Sequence, residues 1–234
     1  MTVREMIYEF QRLIETMSDE FKGVEKPDSD TMLRFLNWSY DRYIKDKYLS
    51  GRSLHENIAN IIANSHDLTK LIANYDDILL QGTTYDELRS FTLPDDYVYF
   101  IRADISINRE GGPLSNSEGT INYLWIPAQP IDLSELDELL TTDINQPIIE
   151  KPAVIIIDKL YGNVITDKYT LADNIKLTYL KKQKELMFID DVSGDEMECE
   201  LASYLHEELV KLAVEMYIMD YKLRLSQKQT GGEA

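Results

Sequence analysis

The sequence predicts an α+β fold: a helical bundle built from the N-terminal helices and a long C-terminal helix, with an inserted antiparallel β domain. Two observations carry this. Apolar residues recur at helical spacing in the first third of the chain and again near its end, and between these regions the period drops to two. A first helix that cannot bury its stripe alone packs most economically against the C-terminal helix, leaving the β region as an excursion between them. The expected divisions are 1–90 for the N-terminal helical part, 91–194 for the β-rich insert, 195–225 for the C-terminal helix and 226–234 for a polar tail.

From Thr2, the residues Val3, Ile7, Phe10, Ile14, Met17 and Phe21 alternate at spacings of four and three. Behind a Thr2–Glu5 capping box they predict an amphipathic helix of about five turns. Gly23 and Pro27 break it, and Asp28 or Ser29 caps a second helix whose stripe runs through Leu33, Leu36, Tyr40, Tyr43 and Ile44. Ser53 and Glu56 form another capping box ahead of Leu54, Ile58, Ile61, Ile62, Leu68, Leu71 and Ile72. This third helical segment has a candidate break near His66 and ends at Asp76 and Asp77.

The period then changes. Tyr97, Tyr99, Ile101, Ala103, Ile105 and Ile107 alternate with more polar residues, as a strand with one drier face requires, and Leu93-Pro94-Asp95-Asp96 is the turn that launches it. Asn108 to Gly119 reads as a polar loop. A strand at Thr120 to Ile126 follows, terminated by Pro127 and Pro130. Ser134 to Leu140 has the composition of a short helix, and Val154 to Ile157 that of a buried strand, with Tyr161-Gly162-Asn163 as the turn after it. Ile175, Leu177 and Tyr179 form a further alternating strand, expected to pair with Leu186 to Ile189 across a lysine-rich turn. Leu205, Leu209, Leu212, Met216, Met219 and Leu223 mark the long last helix, with Lys222, Arg224 and Lys228 near its end.

At 234 residues and 44% hydrophobic composition, the chain can bury a real core as one large domain or two small ones. Its 42 acidic and 24 basic residues give a net charge of −18, which argues against gripping nucleic acid through the phosphate backbone. The one compact basic run, Lys181-Lys182-Gln183-Lys184, reads as a solvated hairpin tip. Cys199 is the only cysteine, which excludes an intrachain disulfide or a thiolate-rich zinc site and suits a reducing compartment. No signal-peptide core and no membrane-length apolar run is seen, so synthesis and assembly in a cytosol are expected.

No catalytic constellation emerges, and neither a catalytic residue, a cofactor nor a metal site is expected. The histidines are His55, His66 and His206; His206-Glu207-Glu208 lacks the second histidine of a zincin motif and reads as a solvent-facing helix position. Asp95 with Asp96, Asp190 with Asp191, and Asp195 with Glu196 lie beside turns, where acidic pairs are ordinary in so acidic a chain. No phosphate-binding glycine motif is present, and Gly111-Gly112-Pro113 has no helix to aim at a phosphate. Cys199, between Glu198 and Glu200, reads as inert. Fifteen tyrosines beside six phenylalanines favour an assembly protein, because a tyrosine ring tolerates partial exposure at subunit contacts.

Four stretches, in order, resemble the head-tail connector, or neck ring and adaptor, proteins of crAss-like tailed bacteriophages, and more distantly the tail tubular adaptor proteins of short-tailed phages. They are Ser29 to Asn37 with Tyr40, Asp41 and Tyr43; Leu93 to Tyr97; Glu150-Lys151-Pro152 through Tyr179-Leu180-Lys181-Lys182; and Cys199-Glu200-Leu201 through Leu205 to Ala213. The resemblance covers most of the chain, and the third and fourth stretches are its more specific parts.

It implies a non-enzymatic structural ring in the virion neck, assembled in the host cytoplasm. The ring would be a cyclic homo-oligomer, commonly a dodecamer, joining the portal protein to adjacent neck or tail ring proteins. Genomic DNA would pass through the lumen without specific binding, which an acidic wall suits. The resemblance also makes Gln227, Lys228, Gln229 and Thr230 the candidate portal or ring contact. Two alternatives are a soluble protein-binding adaptor or regulator, using the tyrosine-rich surface, and a metal-dependent hydrolase built on the carboxylate pairs.

Overall fold

The computed structural model describes residues 1–18, 25–50, 67–82, 88–108, 124–136, 151–166, 171–187 and 197–230. The chain is mixed α and β, with largely antiparallel sheets. It divides into two compact units, one formed by Met1–Leu71 with Gln183–Ala234 and the other by Ile72–Lys182.

The first unit holds α1 (Val3–Ser18), α2 (Ser29–Ser50) and α3 (His206–Thr230), and α3 packs on both α1 and α2. The N-terminus of α1 is set by a reciprocal capping box. Thr2 N donates to Glu5 Oε2 at 2.9 Å and Glu5 N to Thr2 Oγ1 at 3.3 Å, satisfying two otherwise orphaned amides. Asp28 caps α2 by accepting from Thr31 N at 2.8 Å. Val3, Ile7, Phe10 and Ile14 are buried on α1, and Leu36, Tyr40, Tyr43 and Ile44 on α2. Phe10, Phe35 and Tyr217 interlock edge to face, with ring centroids 6.2 Å apart for Phe10–Tyr217 and 5.4 Å for Phe35–Tyr217.

The expected stripe holds at the start of α3, where Leu205 just before the helix and Leu209 are buried, and is lost toward its end after half-buried Leu212 and Met216. Leu209, Val210, Ala213, Val214, Tyr217 and Ile218 are buried, whereas Met219 and Leu223 are each 61% exposed. The helix also continues through Thr230, so residues 226–230 extend α3 rather than opening a tail. Gln and Lys propagate a helix well, and Ser226 Oγ returns a 2.8 Å bond to Leu223 O.

Helix does not reach residue 90. After a 3-10 turn at Thr69–Leu71 the chain becomes β1 (Ile72–Leu79), and β2 (Leu88–Thr92) follows. Leu68, Leu71 and Ile72 mimic helical spacing because a 3-10 turn also brings residues three apart to one side. Asp76 and Asp77 lie not at a helix end but at a β-bulge, where Asp77 adopts φ 58° and the pairing to the later strand Leu171–Lys181 shifts register. The third helix expected over Leu54 to His66 lies outside the described residues.

The second unit is two four-stranded sheets. One has the order β1-β8-β3-β4, with β3 (Tyr97–Asn108), β4 (Leu124–Pro127) and β8 (Leu171–Lys181). The other has the order β2-β7-β6-β5, with β5 (Gln129–Pro130), β6 (Ala153–Ile156) and β7 (Tyr161–Ile165). β5 and β6 are the one parallel pairing among the described strands. One apolar core joins the sheets, with Ile105, Ile107, Ile175 and Leu177 from the first and Phe91, Val154 and Val164 from the second. The opposite face of the second sheet, carrying Ala153, Ile155 and Ile165, is covered by Ile131 and Leu136, the latter in a helical stretch at 133–136. Burial on both faces explains the uninterrupted apolar run of β6.

Three local expectations change. In β3 an extra residue at Ile101 shifts the phase, so Phe100 joins the same core as Ala103, Ile105 and Ile107. Tyr161-Gly162-Asn163 is strand, not turn. The turn is Asp158–Leu160, held by Asp158 Oδ1 accepting from Leu160 N at 2.6 Å and Tyr161 N at 2.8 Å. Gly162 is there for space, since a Cβ would lie 2.4 Å from Phe91 Cζ.

Nor does Leu186 begin a strand. Residues 182–187 are non-regular, and Asn37 takes the part of a strand neighbour: Leu186 N donates to its Oδ1 at 2.8 Å, and its Nδ2 donates to Leu186 O at 3.1 Å. The lysine-rich run is therefore no hairpin tip. Lys181 ends β8, Lys182 N donates to Asp96 O at 2.6 Å, and Lys184 N donates to Glu200 Oε2 at 3.1 Å.

Candidate functional site

The expected contact residues Gln227, Lys228, Gln229 and Thr230 fall together in the last turn of α3. Gln227 is exposed. The approach to them is apolar and basic: beyond Ile218, the last buried residue of α3, come exposed Met219, Leu223 and Leu225 together with Lys222 and Arg224. Arg224 pairs with Asp220 one turn back at 2.7 Å. α3 thus outruns its own packing and presents large apolar side chains that nothing among the described residues covers.

A second exposed face lies on α2, where Arg34, Trp38, Arg42 and Lys45 follow at spacings of four, four and three. The Arg34 guanidinium sits 5.2 Å from the centre of the Trp38 ring, and Trp38 is 47% exposed. Further exposed apolar side chains stand on α1 (Tyr8), on β1 (Tyr75, Leu79) and around the Asp158–Leu160 turn (Ile157, Leu160, Tyr161). Tyrosines divide accordingly: Tyr40, Tyr43, Tyr48, Tyr179 and Tyr217 are buried, while Tyr8, Tyr75, Tyr161 and Tyr204 reach the surface.

His206 is not solvent-facing. It is 3% exposed, with Nε2 3.0 Å from Leu201 O and Nδ1 2.6 Å from the Met1 nitrogen. Loss of hydration pushes its pKa below the usual imidazole range, so the neutral ring donates through Nε2 and accepts at Nδ1. Residue 206 opens α3 directly after a 3-10 segment at Ser203–Leu205, and the segment 197–201, which supplies Leu201 O, is tied to the start of α1 by Val3 N donating to Met197 O at 3.0 Å. His55 and His66 lie outside the described residues, as do Asp190, Asp191, Asp195, Glu196 and Gly111 to Pro113.

Cys199 is buried, and burial raises its thiol pKa, with Glu200 adding to the effect. Of the carboxylate pairs, only Asp95–Asp96 is described. Asp96 Oδ1 accepts from Tyr179 Oη at 2.7 Å and so tethers the start of β3 to β8. Burial, followed by this bond, raises the Tyr179 pKa. Among the described residues no group of three or more His, Cys, Asp or Glu is placed to hold a metal ion, and no helix is long and apolar enough to cross a membrane.

Two polar centres escape sequence reasoning because their members are far apart in the chain. Asp67 accepts from Tyr43 Oη at 3.1 Å and from Tyr204 Oη, and pairs with Lys47 Nζ at 3.2 Å. Partial burial opposes its charge, but the bonds from Tyr204, Lys47 and Tyr43 outweigh this and hold its pKa below the ordinary value. Arg89 is buried on the inner face of β2, where Nη2 donates to Leu80 O at 2.9 Å and Nη1 to Ala172 O. Its guanidinium thereby ties the end of β1 to the start of β8. Burial alternation in β2 is the one sequence signal for it, since Arg89 lies two residues before Phe91.

No protein-family model matches the chain, and no curated protein matches it.

Proposed function

We propose that this chain is a structural ring protein of a tailed-phage neck, joining the portal to the tail and forming part of the DNA exit channel. The three packed helices serve as a bundle that builds the ring wall, and the β unit is the insert carried on it. The observation that supports this reading most is the end of α3: Met219, Leu223 and Leu225 are exposed on a regular helix that continues past its last packed turn. Single exposed apolar residues are ordinary, but Met219 and Leu223 share one face a turn apart, with Leu225 on the other side of the helix, and such exposure on an unpacked helix end suits a surface that another protein covers. Gln227 to Thr230, at the tip of that end, are the portal or ring contact.

The net charge of −18 fits a conduit that repels phosphates rather than gripping them. The ring is a cyclic homo-oligomer held by heterologous interfaces, one surface of each copy meeting a different surface of the next. Electron microscopy of the purified chain, alone and mixed with the portal and neighbouring ring proteins, tests this. Closed rings are expected, and a chain that stays monomeric under every combination overturns the proposal.

A further inference from the structure

We infer that the basic-aromatic face of α2 docks on the acidic, apolar outer edge of β1 in a second copy of this chain. The inference rests on the ring reading above and names two surfaces that meet between neighbours.

In a chain with an acidic excess of 18 charges, the exposed face of α2 is locally free of that excess, its arginines and lysine matching the aspartates around them. Arg34, Arg42 and Lys45 surround Trp38, and all four are exposed. Of the acidic residues on the same side, Asp41 Oδ1 accepts from Gln183 Nε2 and Asp46 pairs with Arg42 at 3.6 Å, while Asp30 stands one turn before Arg34 at the start of the helix. Stacking of Arg34 on Trp38 holds both side chains in one posture, which lowers the entropy lost when a partner covers them. Tryptophan and arginine are also the residue types that most often dominate interface energetics.

The complement is on the same chain. β1 is the outer strand of its sheet, and between exposed Tyr75 (47%) and Leu79 (72%) it carries the exposed carboxylates of Asp76 and Asp77. The bulge that turns Asp77 to φ 58° interrupts the strand pairing there. Such an edge is blunted against strand addition, leaving side chains rather than backbone as its means of contact. Carboxylates at Asp76 and Asp77 answer the guanidinium groups, while Tyr75 and Leu79 offer apolar cover for the Trp38 ring. Because every copy carries one of each surface, the contact is heterologous and propagates around a closed ring.

Sedimentation and native mass spectrometry across a concentration series, together with electron microscopy, test the contact. Arg34→Glu and Asp76→Lys each shift the concentration of half-assembly upward by at least about tenfold. Combining them in one chain restores assembly by reversing the pair. Asp77 is left intact, because lysine tolerates its backbone conformation less well. Raising the ionic strength weakens the wild type in the same direction. Wild-type rings that neither single variant weakens would overturn this interface while leaving the ring reading intact. A chain that stays monomeric with and without the portal and ring partners would overturn both. Loss of duplex-DNA binding in Arg34→Glu with assembly unchanged would assign the α2 face to nucleic acid and overturn the inference.

Discussion

Replacing Gly162 by alanine tests whether packing, rather than turn geometry, fixes this residue. An added Cβ would lie 2.4 Å from Phe91 Cζ, 2.8 Å from Phe91 Cε1 and 3.1 Å from Ile155 O. Phe91 is fully buried in the core between the sheets, so its ring can move only by displacing neighbours. Overpacking of this kind costs about 1–3 kcal/mol, and relief of the glycine penalty inside a strand returns about 0.5–1 kcal/mol. The difference is at most about 2.5 kcal/mol and about 1 kcal/mol at the midpoint of the ranges, or a fall of roughly 4 °C in the melting of the β unit. Urea denaturation followed by circular dichroism reads it. Phe91→Leu, itself destabilising, should cost less in the Gly162→Ala background, giving a coupling above about 0.5 kcal/mol. A neutral Gly162→Ala, or strict additivity with Phe91→Leu, would refute the reasoning.

Two further consequences concern the helical unit. His206 has a folded-state pKa below its unfolded value near 6.5, chiefly from burial, with the Met1 nitrogen and Lys70 adding to the effect and the hydrogen bond to Leu201 O and, less, Glu198 opposing it. Its contribution is therefore complete above about pH 6.5 and is lost as pH falls through the folded pKa, at up to about 1.4 kcal/mol per pH unit; in His206→Gln the slope just below about pH 6.5 should flatten. Asn37→Ala leaves Leu186 N and O without their partner and should cost about 1–3 kcal/mol by urea denaturation; an unchanged midpoint would mean that water replaces the asparagine without loss.

Elements whose signal is local were legible. The Thr2–Glu5 capping box, the Val3-Ile7-Phe10-Ile14 stripe and the Asp28 cap depend on residues within one or two turns, and sequence spacing reports them directly. What was hidden depends on distant partners. Gly162 looks like a turn residue until Phe91 is brought against it from a strand far earlier in the chain. Leu186 looks like the start of a strand because its backbone does pair, but with an asparagine side chain on α2. His206 has the flanking Glu207 and Glu208 of a surface position, yet the segments around Met1 and Leu201 cover it. Ile72 is apolar at helical spacing, and only its pairing with Leu180 makes it strand. The proposed contact residues Gln227 to Thr230 come from resemblance rather than periodicity, and the structure adds the exposed, basic and apolar helix end that leads to them.

The central claim is a place in the virion neck, and the most direct test is the chain's stoichiometry in purified particles, by quantitative mass spectrometry with imaging of the neck. The account predicts a fixed multi-copy ring between portal and tail. Absence from the particle would contradict it and favour a soluble adaptor acting through the same exposed aromatic surface.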